Sequence, residues 1–215
     1  MCAERYIYAC LFLLYMFLNL GACTSDDVML EENSVSIGFN LSEIKGRTVV
    51  NTLNDIIKDG EAFKVWAWRT SPNDMQSEVF RGEKVYYKNY SWTYDDVKFW
   101  INNNSYNFYA LYPDTITHAS YNENGKLTIP RLDIRQSDEY NNAKVVDLMK
   151  ATQYVDVGMN PPETVNLTFT HILTNVNIDL KMHAMNEGDR MEVTYILLNG
   201  MNNVGSMQND VWNLS

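Results

Sequence analysis

The chain has 215 residues, 46% of them hydrophobic, and a formal net charge of −10. So apolar a composition buries a substantial core and excludes intrinsic disorder. Lysine and arginine are scattered through an acidic chain, which excludes a nucleic-acid partner, whose binding needs clustered positive charge.

The N-terminus reads as a signal peptide. Arg5 provides a thin positive region, and residues 6–20 form an almost unbroken apolar run. That run falls short of the ~20 residues needed to cross a bilayer as a helix, and it suits the core of a cleaved signal. Leu20-Gly21-Ala22-Cys23 has the form of a lipobox, with cleavage between Ala22 and Cys23. Small residues fit a narrow peptidase site, and the Cys23 thiol is the nucleophile that accepts a diacylglycerol. The alternative is an ordinary secretory peptide with a chance cysteine. A bacterial lipoprotein carries two or three acyl chains, enough for stable attachment, and everything after Cys23 then works outside the cytoplasm. Thr24-Ser25-Asp26-Asp27 resembles an acidic tag that sends lipoproteins to the outer face of the outer membrane; with Glu31 and Glu32 it reads equally as a solvated linker. The expected organisation is a signal peptide over residues 1–22, an acidic linker over 23–33 and one domain over 34–215. Cys2 and Cys10 leave with the signal, so a lipidated Cys23 leaves no disulfide, thiolate metal site or cysteine nucleophile.

The domain reads as mostly β. Residues 34–41 alternate, with Val35, Ile37, Phe39 and Leu41 on one face, the period of a half-buried strand. Residues 48–59 are the helical candidate: Val49, Val50, Leu53, Ile56 and Ile57 fall at helical spacing and Gly60 stands at the C-terminal cap. Residues 62–69 set Trp66 and Trp68 on one strand face and Phe63, Val65 and Ala67 on the other. Residues 85–94 form an aromatic, alternating strand, and 106–112 another, ended by Pro113-Asp114. Asn124-Gly125 marks a two-residue hairpin turn. Val165, Leu167 and Phe169 share one face, and past Leu173 the set Val176, Ile178, Leu180 and Met182 takes over. Residues 191–198 make a further strand. With no long helices between strands, βαβ crossovers are excluded and an antiparallel β-sandwich with one or two short helices is expected.

No catalytic constellation is present. His118, His171 and His183 are not paired at metal-ligand spacing, and His171 reads as a partly buried residue with a backbone partner. Asp95-Asp96 and Asp138-Glu139 are neighbours that a strand would send to opposite faces. Asn102-Asn103-Asn104 reads as a turn. No cofactor, metal or enzymatic role is expected. The remaining signal is aromatic: Trp66, Trp68, Tyr86, Tyr87, Tyr90, Trp92, Trp100, Tyr106, Tyr109 and Tyr112. Such side chains either fill a sandwich core or form a platform that stacks on sugar rings.

The order of features resembles the fimbrillin family, lipoprotein precursors of pili. The resemblance is carried by the lipobox at Cys23, Phe63-Lys64-Val65-Trp66-Ala67-Trp68, Tyr90-Ser91-Trp92, Phe99-Trp100, and the strand Tyr106-Asn107-Phe108-Tyr109-Ala110-Leu111-Tyr112-Pro113. It continues through Asp147-Leu148-Met149-Lys150-Ala151 and Val165-Asn166-Leu167-Thr168-Phe169-Thr170-His171-Ile172-Leu173 into Asn175-Val176-Asn177-Ile178. The resemblance implies a Greek-key, transthyretin-like β-sandwich and a non-enzymatic stalk, anchor or tip subunit of an outer-membrane fimbrium. It also implies fimbrial subunits as partners, joined by strand donation, and a host glycan or protein as a ligand if the chain is a tip. Some family precursors are cut by an Arg-specific protease after the first strand; here the matching bond is Arg47–Thr48, and the strand lost would carry Val35, Ile37, Phe39 and Leu41, the alternative being that Arg47 is a surface arginine and residues 34–41 a permanent strand. The chain stops about where the first of the family's two domains ends, so the second is expected to be absent or truncated, the sequence being either a fragment or a one-domain variant; if the donor strand lies in that second domain, this chain accepts a strand and does not donate one. The rival reading is a glycan-binding outer-membrane lipoprotein, with Trp66, Trp68, Trp92 and Trp100 as an exposed row.

Overall fold

The computed structural model describes residues 34–46, 52–133, 147–174, 179, 192–196, 200, 202 and 204–214. Eleven strands and one short helix are assigned among them: β1 (Gly38–Lys45), α1 (Leu53–Ile56), β2 (Ala62–Thr70), β3 (Gln76–Lys88), β4 (Ser91–Thr93), β5 (Asn104–Tyr112), β6 (Ser120–Tyr121), β7 (Leu127–Asp133), β8 (Met149–Val157), β9 (Thr164–His171), β10 (Val204–Gln208) and β11 (Val211–Leu214). The architecture is an all-β sandwich. One layer is a ring of strands in the order β1-β4-β3-β2-β5-β8-β9, closed by pairing of β9 with β1; the other is a sheet in the order β11-β10-β7-β6.

The alternation of β2 explains how the layers meet. Phe63, Val65 and Ala67 point into the ring beside Phe80, Phe108 and Phe169. Trp66 and Trp68 point the other way and pack with Leu111, Tyr121, Leu127, Ile129 and Met207 of the second core. There Tyr121 meets the rings of Trp66 and Tyr109, each at 5.3 Å between centroids. The strand is therefore a wall shared by two cores. Its pairing with β3 slips twice, between Val65 and Trp66 and between Ala67 and Trp68. Gly82, at φ +84, allows the first of these bulges and lies against the Trp66 indole, where a Cβ would come within 2.9 Å of Cζ2.

Among the described residues the strand pairs are antiparallel, as expected, except β1 and β9, which run parallel. Several expectations are corrected. The helix is one turn, capped reciprocally by Thr52 and Asp55, and it ends at Ile57 rather than Gly60. Residues 85–94 are not one strand: Asn89 and Tyr90, at φ 52 and 66, turn the chain between β3 and β4. The Asn124-Gly125 connection is longer than two residues; the Asn122 side chain accepts the amides of Asn124 and Lys126 to shape it. Residues 192–196 are exposed and not in a strand. Val165, Leu167 and Phe169 do face inward, all fully buried, whereas Val176, Ile178, Leu180, Met182, His183, Asp138 and Glu139 lie outside the described residues.

Candidate functional site at the first strand

Strand alternation sends Ile37, Phe39 and Leu41 into the ring, where they are 1%, 4% and 4% exposed. Phe39 sits among four rings, those of Phe80 at 5.5 Å, Tyr94 at 5.7 Å, Phe108 at 6.0 Å and Phe63 at 6.3 Å, all in edge-on geometry. Val35 and Ile44 pack partly buried against the same core. The register with β9 shifts between Leu41 and Glu43. That shift resets the alternation, so Ile44 turns inward while Glu43 stays outside with Lys45. Burying Ile37, Phe39 and Leu41 stabilises the fold by roughly 5–9 kcal/mol as an upper bound.

Backbone bonds hold this segment unequally on its two sides. Along β9 the pairing runs from Gly38↔Thr164 to Lys45↔Thr170. The outer face adds Asn40 Nδ2 donating to Asn166 Oδ1 at 3.1 Å, and Ser42 Oγ bonded to the Leu167 carbonyl at 3.1 Å and Thr168 Oγ1 at 2.9 Å. Along β4, one pair alone joins the strands, Phe39↔Trp92. Upstream of β1, the Ile37 amide donates to the Lys98 carbonyl at 2.8 Å and the Trp100 amide to the Val35 carbonyl at 3.0 Å. The Tyr94 hydroxyl donates to the Ile37 carbonyl at 2.6 Å and accepts the Lys98 amide at 3.2 Å. Burial pushes the Tyr94 phenol up, against the Lys98 amide and with help from Glu83, so it remains a neutral donor.

At the far end of β1, Gly46 turns the chain at φ +108 against the imidazole of His171; a Cβ there would stand 2.7 Å from Cδ2. His171 Nδ1 lies 2.7 Å from Asp147 Oδ1, with both side chains almost wholly buried. The histidine thus has a carboxylate partner in Asp147. Arg47 and Thr48 lie outside the described residues, as do Ala22 and Cys23.

The four tryptophans of the rival reading, Trp66, Trp68, Trp92 and Trp100, are all buried, none above 9% exposed. Trp66 and Trp68 belong to one core and Trp92 and Trp100 to the other, so they form no row. Asp95 accepts from the Tyr86 hydroxyl and Asp96 pairs with Lys98, which spends the two carboxylates on separate surface contacts. Among the described residues no three His, Cys, Asp or Glu side chains converge as metal ligands would. Sequence reasoning missed the Tyr94 hook, the Asp147–His171 pair and the close approach at Gly38. The last had a signal, since glycine inside a strand pattern marks a bulge or a near backbone.

No curated protein and no solved structure matches the chain. A family profile described as fimbrillin-like matches residues 47–213, a span that starts just after β1 and holds every other strand of both layers but for the last residue of β11. The match covers well over half of the sequence, and the chain belongs to the fimbrillin-like family.

Proposed function

We propose that this protein is a structural subunit of a surface fimbrium, exported as a lipoprotein through Cys23, anchored at the outer membrane, and joined to neighbouring subunits by exchange of its first strand. The observation that carries the reading is the seat of β1. A strand near the N-terminal end of the domain supplies Ile37, Phe39 and Leu41 to the central core, yet one pair alone ties it to β4. Removing it would open a groove lined by Phe63, Phe80, Phe108 and Phe169 and leave the edge of β9 unpaired. Such an edge is a template for another chain's strand, and head-to-tail contacts that do not close build a filament. Family membership supports the fimbrial assignment, and burial of Trp66, Trp68, Trp92 and Trp100 weighs against a stacking platform for glycans.

The decisive experiment treats the folded protein with an Arg-specific protease and sequences the new N-terminus. A terminus at Thr48, with polymers forming only after the cut, supports the reading. Resistance at Arg47, or polymers of uncut chains, refutes it.

A further inference from the structure

We propose that the seat of β1 selects its occupant through a glycine. It accepts an extended strand parallel to β9 only where an apolar residue, glycine, an aromatic, a polar residue and an aliphatic follow in order, as in Ile37-Gly38-Phe39-Asn40-Leu41. The proposal rests on the exchange reading and names the chemistry of the donor strand.

The glycine requirement is one of space. The Gly38 amide donates to the Glu163 carbonyl at 3.1 Å, and a Cβ at position 38 would stand 2.6 Å from that same oxygen and 3.1 Å from Thr164 Cγ2. The oxygen belongs to the backbone entering β9 and cannot swing aside as a flexible side chain would. Gly38 does not occupy the left-handed region, so it is close approach and not a turn that demands glycine there. Its neighbours add the rest of the pattern. Position 37 is buried, and position 39 is a nest of four rings that an aliphatic would fill poorly. Position 40 faces outward, where Asn166 reads its amide and fixes register. Position 41 is buried just ahead of the register shift.

The sequence holds ten glycines, and an aromatic follows one of them only at Gly38. The edge strand β11, Val211-Trp212-Asn213-Leu214, has no glycine and is excluded as a donor for this seat. The first strand of a second copy is either engaged in its own ring or lost with the cut. The donor is therefore an extended segment of a neighbouring subunit that carries this pattern outside these 215 residues.

The test has two arms. In the first, protein cut with the Arg-specific protease is opened in sub-denaturing urea with a fluorescent peptide of residues 34–45, returned to buffer, and assayed for retained peptide. The same is done with a Gly38→Ala peptide and a scrambled one. In the second, Gly38→Ala and Gly158→Ala are made in the whole chain and melted; a methyl at position 158 would meet nothing within 4 Å, so that variant serves as the control. The native peptide should be retained at least tenfold better than the alanine peptide, and only the Gly38→Ala chain should melt lower. Equal retention of both peptides, or a Gly38→Ala chain melting with the wild type, overturns the glycine rule and leaves exchange standing. Failure of every peptide, with the Gly38→Ala chain still melting low, overturns exchange itself and with it the donor rule.

Discussion

Replacing Phe39 by alanine removes a ring that is 4% exposed and touches four others edge-on, at 5.5 to 6.3 Å. The partners Phe63, Phe80 and Phe108 sit on β2, β3 and β5, whose pairing continues on both sides, so the cavity closes only in part. A phenylalanine truncated in such a site costs about 3–5 kcal/mol. For a chain of this size that lowers the melting temperature by roughly 2–4 °C for each kcal/mol. Phe39→Leu separates the two contributions, because it keeps most of the apolar volume and loses the ring edges. Edge-on pairs add about 0.5–1.5 kcal/mol each beyond area, but four pairs sharing one ring do not sum, and a loss of about 1–2 kcal/mol is expected. The assay is denaturant unfolding, reading the midpoint at constant slope so that a change in the unfolded state is not mistaken for lost packing. A loss below about 1 kcal/mol for Phe39→Ala, the range of surface changes, would refute the view that this strand completes the core.

Asp210 should set part of the acid limb of stability. Partial burial pushes its carboxyl up, but Lys150, the Leu127 amide and Lys126 together hold it below the usual carboxylate range. Its contribution is present above the unfolded value near ~3.9 and is lost as pH falls through the lowered folded value. Asp210→Asn should flatten unfolding curves in that acid window and cost below about 1 kcal/mol near neutrality, as its lysine partners are solvent-screened; an unchanged acid limb would count against this. Cys23→Ala should give a soluble or unprocessed protein with no lipid mass by mass spectrometry, and a normally acylated membrane-bound variant would refute the lipoprotein reading.

Alternation made the inward faces legible. Ile37, Phe39, Leu41, Phe63, Val65, Ala67, Val165, Leu167 and Phe169 all sit where a period of two put them. What alternation does not carry is a strand's neighbour or direction, since parallel and antiparallel ladders bury the same faces. The pairing of β1 with β9 was therefore invisible. Residues 76–84 gave no strand signal because the Gly82 bulge breaks the period among Glu78, Arg81, Glu83 and Lys84. Asn89-Tyr90 hid a turn, as tyrosine is seldom found at positive φ. The helical spacing past Thr48 predicted a longer helix than the single capped turn observed, in line with the weakness of short helices without packing. At the candidate site, the buried residues could be read from the sequence; the hydroxyl and carboxylate contacts, which join segments far apart in the chain, could not.

The shared wall formed by β2 has a consequence for the order in which the protein can mature. Trp66 and Trp68 on its outer face are covered in part by Met207 and Trp212, from β10 and β11, which follow all the ring strands in the chain. A chain emerging in sequence order would hold a nearly complete ring whose outer side is still greasy. Neither half is a finished object alone, so the two cores should melt as one cooperative unit, and a chain shortened before Val204 would present an adhesive indole patch to any neighbour. The hairpin of β10 and β11 therefore covers a surface that chaperones and proteases would recognise if it were left bare.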